Sequence, residues 1–276
     1  MSKPYVISAE LDLAGAGFEE IVDPQRVDDF RQSLDAELRS YGKQVQWVDS
    51  ATLKDGLAQR VAATRLPTAS LDQRFVHGAA YCLGISRAVD DSLQDVGYVP
   101  RAGFPAIQRQ LDELAAREQE VVVVDDVLFS GEMLHQLRTD LAARGVRLSG
   151  VICGIAIGEG AEKLEAEGIG VDAVLRFDDV DDEICERDFA VVPGSGRRLS
   201  SGLQNAFYFD NLYGRPSQWA SIPAARVADF CVNSLERNSA LLRSEVPMDS
   251  IGNFVGYQET GAAVAALYNR IERISL

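Results

Sequence analysis

Asp125 and Asp126 stand side by side, directly after four consecutive valines at 121–124 and just before a short turn containing Ser130 and Gly131. Four β-branched residues in a row predict a strand covered on both faces, so the two carboxylates fall where that strand should end. The spacing of Met133, Leu134, Leu137 and Leu141 predicts an amphipathic helix over 131–143, stopped by Gly145. In parallel α/β sheets, ligands lie beyond the carboxyl ends of the strands. Free N–H groups at a helix start favour a phosphate there. Paired acids supply acceptors for sugar hydroxyls and oxygen ligands for a metal. A sugar phosphate uses both. The plainer alternatives are that acids end strands because they are solvated there, and that Ser130 simply caps a helix.

Strand, two acids, a loop with a hydroxyl and a glycine, then a helix: this order resembles the 5-phosphoribosyl 1-pyrophosphate (PRPP) signature of type I phosphoribosyltransferases. The resemblance implies that Asp125 and Asp126 bind the ribose 2- and 3-hydroxyls, with or without an intervening magnesium ion. It also implies that they stabilise positive charge on C1 as the glycosidic bond opens. Val127, Leu128, Phe129, Ser130, Gly131, Glu132 and Met133 would hold the 5-phosphate. Many members carry a hydroxyl residue where this chain has Met133, which offers a phosphate only its backbone N–H. A Walker B reading of the valines and acids needs a companion G-x-x-x-x-G-K-[ST] loop, which the sequence lacks.

Residues 96–99 predict a short strand leading into Pro100, Arg101, Ala102 and Gly103. In the family it resembles, the first core strand ends in a loop that grips pyrophosphate, often as Pro-Arg-Gly-Gly. Small residues let backbone approach an anion, and Arg101 can make paired bonds to it; the same residues also make a plain turn. Between this loop and the acids lie only residues 104–124, enough for one helix and one strand. Typical members insert a hairpin and a mobile catalytic loop there. Either another segment, around 74–87, covers the site, or the protein binds the sugar phosphate without transferring it.

Other candidates are weaker. Gly154, Gly158 and Gly160 end the next strand and either approach a base or ribose or make the turn. The acids at 178, 179 and 181–183 lack calcium-loop spacing and read as a solvated loop. Phe189, Arg197 and Arg198 offer a stacking ring and anion contacts, or a core aromatic and solvated cations. His135 reads as a packing or surface residue, and His77 has no informative context.

Asp23, Pro24 and Gly42 punctuate a helix with a stripe of Val27, Phe30, Leu34, Leu38 and Tyr41. Residues 5–13 read as a strand or arm, 44–48 as a strand, 52–64 as a helix weakened by Gly56, and 67–72 as a loop. Residues 75–89 stay ambiguous between helix and irregular chain. Helices over 104–117 and 161–166 alternate with strands over 121–124, 151–157 and 171–177, which implies a parallel sheet with right-handed crossovers. After Asp178 the alternation stops. A strand over 189–192, a turn at 193–196, a helix over 222–243 capped by Ser221, and a last helix over 259–274 complete the reading.

The chain has 276 residues and a net charge of −15, which disfavours non-specific nucleic-acid binding. Its four cysteines are scattered, without zinc spacing, and suit a reducing compartment. No apolar run is long enough to span a bilayer, and the N-terminus lacks an apolar signal core. The expectation is a cytoplasmic α/β protein whose parallel sheet is of the type I phosphoribosyltransferase kind, with N-terminal helices and a C-terminal helical appendage. Its segments are 1–83, 84–215 for the core with a hood-like region, and 216–276. The implied activity is magnesium-dependent transfer of ribose 5-phosphate from PRPP to a nitrogen nucleophile, a glycosyltransferase reaction that releases pyrophosphate. The partner is then a small molecule, with no nucleic acid or membrane, and a homodimer is admissible. The alternative is a phosphoribosyl or nucleotide sensor, or a partner subunit, that keeps the cradle without the mobile loop.

Overall fold

The computed structural model describes residues 3–11, 23–72, 74–76, 78–101, 103–191, 195–200, 205–209 and 215–242. In chain order the elements are β1 (Pro4–Ser8), α1 (Pro24–Ser40), β2 (Gln44–Val48), α2 (Ser50–Ala63), β3 (Thr68–Ser70), β4 (Tyr81–Cys82), β5 (Ile85–Val89) and β6 (Asp95–Pro100). They continue with α3 (Ile107–Ala115), β7 (Glu120–Leu128), α4 (Glu132–Ala142), β8 (Arg147–Ile157), α5 (Gly158–Ala166), β9 (Gly170–Phe177) and β10 (Asp182–Cys185). β11 (Arg197–Leu199), β12 (Asn205–Ala206), α6 (Pro216–Trp219) and α7 (Val227–Leu242) follow. Two compact units share them. The first is Met1–Trp47, Arg87–Val96 and Asp181–Leu276; the second is Val48–Ser86 and Gly97–Val180.

The second unit is built on a five-stranded sheet of order β4-β3-β7-β8-β9, parallel throughout. This is the α/β architecture expected. Its core joins Val121, Val123, Val151 and Ala156 of the central strands to Leu111 and Leu114 of α3 and to Leu134, Leu137 and Leu141 of α4. Asp49 caps α2 by accepting the Thr52 N–H at 2.7 Å. Gly56, a weak point by helix propensity alone, is where α2 presses on β9. A β-carbon there would stand 2.5 Å from Val174 Cγ1.

In the first unit, β1 lies between β10 and β2, parallel to β10 with Tyr5 opposite Asp182. Helix α1 begins as its punctuation predicts: Asp23 accepts the Gln25 N–H at 2.9 Å and Pro24 fills the first helical position. Its stripe of Val27, Phe30, Leu34 and Leu38 enters a core with Phe189, Phe230 and Trp219.

The structure corrects several expectations. Residues 68–70, read as loop, form β3, beside the central strand. All three are buried, but Thr-Ala-Ser carries no apolar run to betray a strand. Residues 81–82 and 85–89 are strands β4 and β5. Asp182 and Glu183, read as solvated, pair with β1, and Glu183 is buried with the Ser8 hydroxyl donating to it at 3.4 Å. Phe189 ends a 3-10 turn, Glu186–Phe189, rather than opening a strand. Helix α7 starts at Val227 after a further 3-10 turn, so Ser221 does not cap it. The expected helix over 259–274 and the residues Pro193 and Gly194 lie outside the described residues.

Candidate functional site

The site begins with register. β3 and β7 run parallel with Ser70 level with Val124, and across β7 and β8 Asp125 faces Cys153. The valine run was expected to stop before the acids. Instead β7 continues to Leu128, so both carboxylates belong to the strand. Alternation along a strand gives successive residues different surroundings. Asp125 is 6 % exposed, whereas Asp126 is half-buried. Asp125 Oδ1 accepts the Asp126 N–H at 3.0 Å, and Asp126 Oδ1 accepts the Val127 N–H at 2.9 Å.

A third acid joins them. The Leu71 N–H donates to the Val124 carbonyl at 2.8 Å, which carries the chain from β3 past the end of the ladder and brings Asp72 towards Asp125. Asp72 is buried, and its Oδ2 accepts the N–H groups of Arg74, Phe75 and Val76 at 3.0, 2.6 and 3.1 Å. Burial pushes the Asp125 carboxyl well above its ordinary range. The charge of Asp126, a side-chain hydrogen bond with it, and the charge of Asp72 push it further. Burial, helped by Asp125, likewise lifts the Cys153 thiol to about 12. Asp125 thus holds its proton more tightly than an ordinary carboxyl, and with Asp126 it gives this edge several hydrogen-bonding oxygens for a vicinal diol. Asp72 was missed in the sequence because the strand before it is only three residues long.

The turn from β7 to α4 comprises Phe129, Ser130 and Gly131. Gly131 caps α4 at φ +75°, the left-handed region that favours glycine. Ser130 Oγ accepts the Glu132 N–H at 3.4 Å. Val127 and Leu128 finish the strand, with Leu128 buried and Val127 half-buried. Glu132 is exposed in the first turn of α4, and Met133 packs against the core. The glycines of 154–160 meet protein backbone. β-Carbons there would stand 2.7 Å from the Asp126 carbonyl oxygen for Gly154, 2.4 Å from that of Asp178 for Gly158, and 2.1 Å from that of Phe129 for Gly160.

Arg101 and Gly103 do not follow a core strand. β6 lies in a four-stranded sheet of order β12-β11-β5-β6, outside the parallel five, and its Val96 is 47 % exposed. The Arg101 N–H donates to Gly84 O at 2.8 Å and its Nε to Ile85 O at 2.9 Å. Gly103 is exposed at φ +82°, and Ala102 lies outside the described residues. The strand hydrogen-bonded to β7 on that side is β3. In chain order β4, β5, β6 and α3 lie between β3 and β7.

Among the described residues no three His, Cys, Asp or Glu side chains gather as a metal set. Magnesium commonly takes one or two carboxylates together with substrate phosphates. Asp125 and Asp126 therefore fit an ion that arrives with a polyphosphate. His135 is exposed with Nδ1 3.1 Å from Glu167, a surface contact. Phe189 is fully buried in the first unit, edge-on to Phe230, and Arg197 lies over the Trp219 ring at 4.6 Å. Among the described residues no cysteine is in a disulfide and no helix is long and apolar enough to cross a membrane.

The sequence matches no protein-family model and no curated protein. Solved structures do match. Among them are phosphoribosyltransferases. Orotate phosphoribosyltransferase of Mycobacterium tuberculosis H37Rv, solved in complex with PRPP, is 17 % identical over 46 % of this chain and 72 % of that one, with a TM-score of 0.28. The orotate phosphoribosyltransferase from Aeropyrum pernix is 17 % identical over 46 % and 71 %, with a TM-score of 0.29. A phosphoribosyltransferase from Corynebacterium diphtheriae is 15 % identical over 61 % and 96 %, with a TM-score of 0.28.

Proposed function

We propose that the carboxyl edge of the five-stranded sheet binds PRPP with magnesium in the cytoplasm and transfers its ribose 5-phosphate to a nitrogen nucleophile, releasing pyrophosphate. The observation that carries this reading is the adjacency of Asp125 and Asp126 to the β7–α4 turn on one continuous strand. Asp126, the more exposed acid, accepts hydrogen bonds from the ribose hydroxyls, with the buried Asp125 beside it. Val127, Leu128, Phe129, Ser130, Gly131, Glu132 and Met133 form the strand end and turn around the 5-phosphate, chiefly through backbone N–H groups. The pyrophosphate end falls to the loop after β3, next to Asp72, in place of Arg101, Ala102 and Gly103. Asp125 and Asp126 would hold magnesium together with the phosphates, and the ion would supply positive charge against the phosphate groups. Positive charge at C1 is met by the acidic edge, and positioning supplies the rest of the rate.

Glu132 favours a second reading, binding without transfer. A carboxylate in the first turn of α4 already answers the positive end of the helix dipole and opposes a doubly charged phosphate. The protein would then be a sensor or partner subunit. Calorimetric titration with PRPP and magnesium, followed by a pyrophosphate-release assay across purine and pyrimidine bases, separates the two. Saturable binding with release supports transfer. Binding without release supports the sensor. No binding contradicts both.

A further inference from the structure

Helices α1 and α7 of the first unit pack along one another and leave a cavity of about 630 Å3. This volume is in the range that holds a small molecule. Arg237 lines it and is only 7 % exposed. Its Nη1 pairs with Glu37 and its Nη2 donates to Ser234 Oγ at 2.8 Å. Its Nε–H is buried with no acceptor among the described residues, and the same is true of Nη1 of Arg26 on the same cavity wall. A buried donor without an acceptor is costly, and two on one cavity point to an acceptor supplied from outside.

Charge narrows the ligand. Glu37 is answered by Arg237, and the lining also carries Arg26 and two exposed acids, Asp29 and Glu236. A plain anion would meet those two acids, and a plain cation would leave the guanidinium donors unanswered. Phe30 and Leu241 add an apolar wall. We propose that this cavity binds a small zwitterion of the α-amino acid class. Its carboxylate accepts from Arg26 and Arg237, its ammonium donates to Asp29 and Glu236, and its apolar substituent lies against Phe30 and Leu241. The proposal is independent of the acidic sheet edge in the second unit.

The test is a titration of the full chain, followed by amide chemical shifts and thermal midpoint, with leucine and phenylalanine against leucinamide and N-acetyl-leucine. The expected result is saturable binding of the free amino acids, weakened about tenfold or more when either charge is capped. Arg26→Gln, and Arg237→Lys, which keeps the charge towards Glu37 but removes Nε–H, each weaken binding about tenfold. Arg26→Gln, which removes a donor without an acceptor, does not lower the ligand-free midpoint. Absence of saturable shifts, equal binding of the capped analogues, or unaltered affinity in both variants overturns the proposal.

Discussion

Gly160 and Phe129 approach so closely that a β-carbon on the glycine would stand 2.1 Å from the phenylalanine carbonyl oxygen. The first turn of α5 and the turn leading into α4 therefore touch backbone to backbone. The obstacle is main chain, so a neighbouring rotamer cannot relieve it. Gly160→Ala should destabilise the protein by about 1–3 kcal/mol and distort the turn assigned to the phosphate. Gly170→Ala, where a β-carbon meets nothing within 4 Å, is the control. Urea unfolding of both variants checks this, and equal midpoints would contradict it.

Asp125 and Asp126 differ in burial and should differ in consequence. Asp125→Asn keeps an acceptor for the Asp126 N–H and replaces a carboxyl whose ionised form burial and the neighbouring acids disfavour. Its thermal midpoint should match or exceed that of the wild type. Asp126→Asn should leave the midpoint unchanged and weaken PRPP binding about tenfold or more, the loss expected for a charge-assisted hydrogen bond. Calorimetry on both variants separates the roles, and identical affinities would show that neither acid meets the ligand.

Gln110 is buried and ties two segments together. Its Oε1 accepts the Gly84 N–H at 2.8 Å, and its Nε2 donates to the Pro105 carbonyl at 2.7 Å. Gln110→Leu leaves those backbone groups unanswered and should cost about 1–3 kcal/mol. Amide exchange at Gly84 should accelerate more than exchange in β8. Unchanged protection at Gly84 would exclude the tie.

Asp182 gives the first unit a pH dependence. Burial raises its carboxyl to about 6, aided by Asp181 and opposed by the Ser221 hydrogen bond, the Glu183 N–H and Lys43. A folded value above the unfolded one means that the folded state holds the proton more tightly. The stabilisation is complete below about pH 4 and is lost as pH rises through about 6. Asp182→Asn should remove this slope and, above about pH 7, exceed the wild type by up to roughly 3 kcal/mol. Parallel stability curves for the two proteins would contradict the assignment.

What the sequence disclosed followed from burial on two faces and from capping chemistry. The valine run, the stripe of α4 and the Asp23–Pro24 start of α1 each impose one local structure, and each was legible. β3 was not, because Thr68, Ala69 and Ser70 owe their strand to pairing with Val122, Val123 and Val124, residues far along the chain. β6 misled in the opposite way: Val96, Tyr98 and Val99 look like a core strand but lie outside the parallel sheet. The acidic doublet was legible by type, but the burial of one member and the presence of Asp72 beside it depend on tertiary pairing.

The most direct test is a crystal structure of the protein soaked with PRPP and magnesium. The account predicts ribose hydroxyls within hydrogen-bond reach of Asp126 and the 5-phosphate against the N–H groups of the turn into α4. PRPP bound elsewhere, or turned so that the pentose misses both acids, would contradict it.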